Sequence, residues 1–258
     1  MGRGTALITG ASSGIGAELA KLCAARGYDV ILVARRAPKL SELAADLAKN
    51  HGVDARVLAV DLAQETAPDE IDRALQGVTP DVLINNAGFG VHGPFVRTPW
   101  DDERNLLQVN LLAPVRLTKI LLPRMVERGS GRVLNVASTA AFVPGPLMAM
   151  YYASKAFVFS FSLALASEVH GTGVTVTALC PGPTSTEFGE VARLTSSRLF
   201  RGPQMSAADV AREGFDAMLA GQAEVIAGAR NRWMMLGTRL APRSLLAALA
   251  RRLNSSLQ

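Results

Sequence analysis

Residues 5–16 read Thr5-Ala6-Leu7-Ile8-Thr9-Gly10-Ala11-Ser12-Ser13-Gly14-Ile15-Gly16, and the physical chemistry of that stretch sets the architecture of the chain. Thr5–Thr9 is a short apolar run of the kind that forms a strand buried on both faces. The glycines that follow permit a tight turn and let the backbone approach a ligand closely. The next segment, Gly14–Gly27, reads as a helix whose first turn offers free N–H groups and a positive dipole end, a ready site for phosphate. The spacing is GxxxGxG rather than the commoner GxGxxG. A glycine-rich turn alone could be a plain connection. A strand before it and a helix after it make it a nucleotide-phosphate site, with Gly10, Ser12, Ser13, Gly14, Ile15 and Gly16 as its contacts.

Outward from this unit the same rhythm continues. Val30–Ala34, Arg56–Val60, Val82–Ile84, Arg132–Val136, Val174–Leu179 and Glu224–Ala227 read as strands. Between them lie amphipathic stretches expected to be helices: Pro38–Asn50, Asp69–Leu75, Asp101–Arg128 with a kink at Pro114, Tyr151–His170, and Ser206–Leu219 opening on Ser-x-x-Asp. Alternation of this kind builds right-handed βαβ units. The expected fold is α/β, a single Rossmann-type doubly wound parallel sheet of about seven strands with helices on both faces. It occupies residues 1–229, and a basic amphipathic extension follows over 230–258. In such sheets ligands bind beyond the carboxyl ends of the strands, so chemistry-bearing residues should sit just after strands.

Two further features follow that rule. The second strand runs into Arg35-Arg36, while the nearby acid, Asp29, stands at its wrong end. A carboxylate at the end of this strand would hold a ribose 2′-hydroxyl, whereas arginine accommodates a 2′-phosphate, so Arg35 and Arg36 favour NADP(H). Farther on, Tyr151 and Lys155 lie four residues apart on a predicted helix, where side chains share a face. An ammonium beside a phenol favours the phenolate and should lower the tyrosine pKa from its ordinary ~10. A phenol tuned in this way can exchange a proton with a reacting group. Tyr152 has alanine at the matching position and no such partner.

Taken with Asp61-Leu62, Asn85-Asn86-Ala87-Gly88, Asn110, Ser138 thirteen residues before Tyr151, and Pro181-Gly182, these motifs stand in a family order. Over about residues 4–228 the chain resembles the short-chain dehydrogenases/reductases. The resemblance implies an NADP(H)-dependent oxidoreductase interconverting a carbonyl and an alcohol, with reduction as the favoured direction. By the same resemblance Tyr151 gives or takes the proton, Lys155 lowers its pKa and holds the nicotinamide ribose, Ser138 hydrogen-bonds the substrate oxygen, and Asn110 supports a water leading from Lys155 to solvent. Asp61 should receive the adenine amino group beside Leu62. Asn86, Ala87 and Gly88 should line the cofactor, and Pro181, Gly182, Thr184 and Thr186 should meet its nicotinamide end. The resemblance also implies a homodimer or homotetramer, with the helices carrying Asn110 and Tyr151 at the interface. An NAD-dependent alcohol or steroid dehydrogenase would need the acid that the second strand lacks, and a non-catalytic NADP sensor would typically have lost the Tyr–Lys pair.

Composition narrows the rest. Hydrophobic residues make up 49% of the 258 and charged residues 19%, enough apolar material for a large core. No continuous apolar run reaches the ~18 residues of a membrane span. No signal peptide is expected before the first strand, and Ala6 breaks the myristoylation pattern. Cys23 and Cys180 are isolated, and His51, His92 and His170 are scattered without ligand spacing, so a reducing cytoplasm and no metal site are expected. The net charge is +5, but residues 230–258 hold six arginines and no acid, which leaves −1 for the remainder and gives no sign of a nucleic-acid-binding fold.

The uncharged loop Ala140–Met150, together with Phe89, Phe95, Phe188, Leu194, Leu199 and Phe200, points to a small apolar carbonyl or alcohol as substrate. In the tail, Leu246, Leu249, Leu253 and Leu257 recur at three- or four-residue steps and form one apolar stripe. Such a helix could lie on an anionic membrane surface. The expectation taken here is the simpler one, a helix packed on its own subunit or on a partner with its arginines in water.

Overall fold

The computed structural model describes residues 4–192, 194, 197–238 and 240–255. Its elements in chain order are β1 (Thr5–Thr9), α1 (Gly14–Ala25), β2 (Asp29–Ala34), α2 (Ala37–His51), β3 (Ala55–Ala59), α3 (Ala67–Leu75), β4 (Val82–Asn85), α4 (Trp100–Leu107), α5 (Ala113–Arg128), β5 (Gly131–Val136), α6 (Ala149–Glu168) and β6 (Val174–Cys180). After these come β7 (Thr184–Ser185), α7 (Phe188–Val191), α8 (Arg198–Arg201), β8 (Met205–Ser206), α9 (Ala207–Leu219), β9 (Glu224–Ile226), α10 (Ala229–Thr238) and α11 (Arg243–Asn254).

Seven strands pair in the order β3-β2-β1-β4-β5-β6-β9, all parallel. The chain winds outward from β1 to β3, then returns to β4 on the other side, so the topological switch point lies between β1 and β4. Successive strand residues face opposite layers. Ala6 and Ile8 pack with Leu19, Leu40 and Phe215 on one side, while Leu7 packs with Ile71, Leu117 and Leu121 on the other.

The helix expected at Asp101–Arg128 is continuous from Trp100 to Arg128, but its kink has a specific form. Residues Gln108–Leu112 make a π-helical turn, in which Ala113 N–H reaches back to Gln108 O. Pro114 has no N–H, and in a regular α-helix its ring would meet the carbonyl four residues earlier, that of Asn110. The wider turn gives it room and places Asn110 inside the irregularity. This helix and α6 have the length and mean hydropathy of membrane spans despite lacking a continuous apolar run. Both bury one face within the domain, α5 through Leu117, Leu121 and Met125 and α6 through Tyr152, Ser154, Lys155, Val158 and Ser162.

Ser206 caps α9 as expected, accepting from Asp209 N–H at 3.0 Å. The two-residue β7–β8 pair and helix α10 have no counterpart in the sequence reading. The tail forms α11, but its inward face differs from the expected stripe. Leu246, Ala250 and Asn254 are buried, whereas Leu249 is largely exposed. Leu257 of that stripe and Arg239 lie outside the described residues.

Candidate active site

The site begins at the switch point. Thr9 Oγ1 donates to Ile84 O at 3.2 Å and accepts from the Asn86 and Ala87 N–H groups at 3.0 and 3.1 Å. Asn86 Nδ2 donates to Thr9 O and Gly10 O at 2.9 and 3.2 Å. The phosphate-type turn is therefore pinned to the end of β4. Gly10 and Gly14 adopt positive φ, 67° and 57°. A Cβ on Gly16 would lie 2.3 Å from Gly10 O, so Gly16 allows α1 to pack against the turn.

One cavity of about 1040 Å³ runs from this turn across the carboxyl edge of the sheet to the last two helices. It exceeds a typical single-ligand pocket of ~300–1,000 Å³. Of the residues expected to bind cofactor, Gly10, Ser12, Ser13, Gly14, Ile15, Arg35, Arg36, Asp61, Leu62, Asn86, Ala87, Gly88, Tyr151, Lys155, Pro181, Gly182, Thr184 and Thr186 all line it. Gly16 does not, because it is buried beneath the turn. The surroundings fit a dinucleotide: a Cβ on Gly88 would sit 3.2 Å from Asn110 Oδ1 and 3.3 Å from Lys155 Nζ, so the wall stays close to both only as glycine.

At the phosphate end, Arg36 reaches across to Ser12 Oγ at 2.9 Å and Ser13 Oγ at 2.8 Å. The same guanidinium meets Glu187 at 2.7 Å, and Lys39 Nζ meets the second carboxylate oxygen at 2.7 Å. These two partners hold the Glu187 carboxyl near 2, well below its ordinary value, with Lys39 the larger influence. A carboxylate from the segment after β6 thus sits on a cluster of cations and hydroxyls that suits an anion.

At the other end, Tyr151 is half-buried against Phe188, their rings 5.2 Å apart and tilted. Lys155 is 5% exposed, donates to Val136 O at 2.8 Å and stands 5.9 Å from the Tyr151 ring centre. Burial brings its pKa down to about 8. The expected lowering of the Tyr151 pKa by Lys155 needs correction for the protein alone. Burial pushes the phenol up, and the group that favours its ionised form is the Ser138 hydroxyl. Lys155 has its ammonium turned to a backbone carbonyl, which is why it does not dominate. Ser138 accepts from Ala140 N–H at 3.0 Å and donates to Pro181 O at 3.4 Å, which fixes it at the end of β5.

Asn110 lies behind the cavity wall. Its Oδ1 accepts from Phe89 N–H at 3.1 Å, and its Nδ2 donates to Phe89 O at 3.0 Å and Ser154 Oγ at 3.1 Å. It ties the loop after β4 to α6 and so positions the wall beside Lys155.

A sequence profile described as short chain dehydrogenase matches residues 4–196. The chain belongs to the short-chain dehydrogenase/reductase family. It is accordingly an oxidoreductase with a nucleotide-binding Rossmann fold. Over 181 residues it is 42% identical to a very-long-chain 3-oxoacyl-CoA reductase of Phaeosphaeria nodorum, covering 67% of this chain and 53% of that one. A counterpart in Bos taurus is 34% identical over 194 residues, covering 74% and 62%. The chain therefore spans little more than half the length of these curated relatives. Among solved structures it is similar to a short-chain dehydrogenase from Sphingobium yanoikuyae in complex with NADPH, with TM-score 0.83, 34% identity and coverage of 92% and 93%. It is also similar to a bulky-bulky ketone specific alcohol dehydrogenase from Comamonas testosteroni, with TM-score 0.80, 31% identity and coverage of 93% and 92%.

Several residues of this dehydrogenase/reductase site went unread in the sequence. Met234, Met235, Leu246, Leu249, Ala250 and Leu253 of α10 and α11 roof the apolar end of the cavity. The roof is fastened by Asn254, which is fully buried. Its Oδ1 accepts from Tyr152 Oη at 3.1 Å, its Nδ2 donates to Pro146 O at 3.0 Å, and its backbone carbonyl lies 2.9 Å from His92 Nε2. One signal was available: Asn254 stands four residues after Ala250 and eight after Leu246, on the apolar stripe. Glu187 and Lys39 carried no such signal, since their meeting depends on how the segment after β6 folds back.

Proposed function

We propose that this enzyme uses NADP(H) to interconvert an apolar ketone and its alcohol, working mainly as a reductase, with a 3-oxoacyl thioester as the favoured substrate class. The observation that carries this reading is the convergence of Ser138, Tyr151 and Lys155 where the cleft along the glycine-rich turn opens into a chamber walled by Val143, Met148, Phe188, Leu194, Phe200 and the α10–α11 roof. Arg36, Lys39, Ser12 and Ser13 gather on an anion, which favours a 2′-phosphate, and the sequence supplies no carboxylate at the end of β2. The names of the relatives support ketone reduction on an acyl thioester.

The bound nicotinamide supplies the hydride chemistry. The protein supplies orientation and a proton. Ser138 and Tyr151 hydroxyls hold the carbonyl oxygen, and Tyr151 Oη gives its proton to the developing alkoxide. Lys155, charged below about pH 8, stabilises the tyrosinate left behind. A positioned acid of this kind contributes ~10²–10⁴-fold. The aromatic wall excludes water from the reacting atoms.

The test is NADPH oxidation against 3-oxoacyl thioesters, oxosteroids, aromatic ketones and aliphatic aldehydes. The reading expects the highest kcat/KM on a ketone with a long apolar substituent, and turnover limited to small polar aldehydes would overturn it. A homodimer or homotetramer through α4–α5 and α6 belongs to the same proposal. Leu112 and Phe157 are exposed there, and Phe157 stacks on Phe161 at 5.7 Å; light scattering tests it. A reducing cytoplasmic setting belongs to the same proposal, in which Cys23 and Cys180 stay free and buried.

A further inference from the structure

Helix α11 turns Leu246, Ala250 and Asn254 inward, yet its opposite side is not the polar surface a terminal helix usually presents. Leu245 and Leu249 face outward, and α10 and its following turn add Trp233, Leu236 and Leu240, with Trp233 75% and Leu240 92% exposed. The segment that carries this apolar surface bears one sign of charge. Residues 230–258 contain arginines and no acid. Arg232 pairs with Glu213, but Arg230, Arg243, Arg251 and Arg252 make no ion pair among the described residues. Met234 and Leu249 are at once exposed and part of the cavity lining, so the apolar end of the chamber opens onto this same face.

We infer that the outer face of α10 and α11 docks flat on an anionic lipid surface, and that the chamber mouth meets the bilayer there. Leucine and tryptophan beside arginines, with no acid in the segment, match the interface of a membrane carrying negative headgroups. A second copy of the chain fits this face poorly, because association would bring two sets of unpaired guanidiniums together. The sequence expectation of a packed helix described only the inward stripe; the second face becomes visible once α10 is seen beside α11. Delivery of an apolar substrate from the membrane rests on the function proposed above, whereas docking does not.

The experiment is co-sedimentation of the full chain with vesicles of phosphatidylcholine, with and without phosphatidylserine. Wild type should pellet with the anionic vesicles only, and raising salt from ~0.1 M to ~1 M, where the screening length falls from ~10 Å to ~3 Å, should weaken binding. The variant Leu236→Glu/Leu240→Glu/Leu245→Glu alters no cavity-lining residue and should partition at least about tenfold less. The variant Arg243→Ser/Arg251→Ser/Arg252→Ser should lose the salt-sensitive part. Both should keep the wild-type melting temperature and turnover of a small soluble ketone. Vesicles should stimulate reduction of a long-chain ketone by wild type and not by the leucine variant. Absence of binding to anionic vesicles, or equal binding by all three proteins, refutes the inference. A drop in solution mass of the leucine variant, without vesicle binding by wild type, would make the face an interface between copies and overturn it equally. Loss of all ketone turnover with sedimentation intact would instead count against the proposed function.

Discussion

Replacing Asn254 by alanine should undock the roof of the active site without touching the reacting groups. The side chain makes two hydrogen bonds in a fully buried position, from Tyr152 Oη at 3.1 Å and to Pro146 O at 3.0 Å. Alanine leaves the phenol and the carbonyl unpaired, at ~1–3 kcal/mol for each group that stays dry. Water reaching one of the two groups lowers that, so roughly 2–4 kcal/mol of docking free energy is lost, a factor of roughly 30–1,000 in the ratio of docked to open helix. The bond from His92 to the Asn254 carbonyl survives, since it uses the backbone. Hydrogen exchange over residues 243–254 should accelerate, and KM for a long-chain ketone should rise at least about tenfold. Turnover of a small soluble ketone should change little, because Ser138, Tyr151 and Lys155 keep their own supports. Asn254→Asp keeps the acceptor and loses the donor, and should fall between. Unchanged exchange and unchanged KM in Asn254→Ala would refute the reasoning.

Four other outcomes follow from the same geometry. Arg36→Ala/Lys39→Ala should weaken NADPH binding by about tenfold or more and leave NADH nearly unaffected, by titration of each cofactor; a loss of ~1.4 kcal/mol on both would mean the pair does not read the 2′-phosphate. Glu187→Gln removes the carboxylate that shares those cations, so NADPH should bind several-fold more tightly while NADH does not; equal gains for both would show that Glu187 acts as a general lid contact. Tyr151→Phe should retain cofactor binding and lose ~10²–10⁴-fold in kcat, and a fully active variant would remove Tyr151 as proton donor. Lys155 is depressed by burial from 10.5 to about 8, so it is charged below that pH and neutral above it; reduction should be level below about pH 8 and decline above it, and a profile flat to pH 10 would contradict the role given to its charge.

The cofactor half of the site was legible because its physics is local. Gly10 and Gly14 need positive φ, Gly16 must clear Gly10 O, and Arg36 follows a strand end by chain connectivity alone. Each constraint acts within a few residues, so each leaves a mark in a short window. Strands were legible for the same reason: the five inner strands are buried on both faces and read as continuous apolar runs, and all seven sheet strands, the two edge strands included, fell within one residue of their expected bounds. The substrate half is different. Asn254 meets Tyr152 across 102 residues, and Glu187 meets Lys39 across 148. No window of sequence contains either pair. The π-helical turn at Gln108–Leu112 was visible only as a proline, because Pro114 marks a disturbance in the helix without saying whether the helix bends, breaks or widens there.

The adjacent tyrosines show how the two halves are joined. Neighbouring helix positions point about 100° apart, so Tyr151 and Tyr152 of α6 cannot serve the same contact. Their rings meet edge-on at 6.0 Å. Tyr151 turns to Ser138 and the apolar chamber, while Tyr152 turns to the buried end of α11. Burial pushes the Tyr152 phenol up, which keeps it a hydrogen-bond donor to Asn254. A spacing argument from Lys155 assigns Tyr151 the chemistry and leaves Tyr152 idle. The geometry gives Tyr152 a positioning task, and Tyr152→Phe should therefore resemble Asn254→Ala in kind: higher KM for long substrates and faster exchange in α11, with little change in turnover of small ones. That ties the acid that delivers the proton to the helix that closes the chamber through one turn of α6, so the roof and the reacting oxygen are set by the same rigid element.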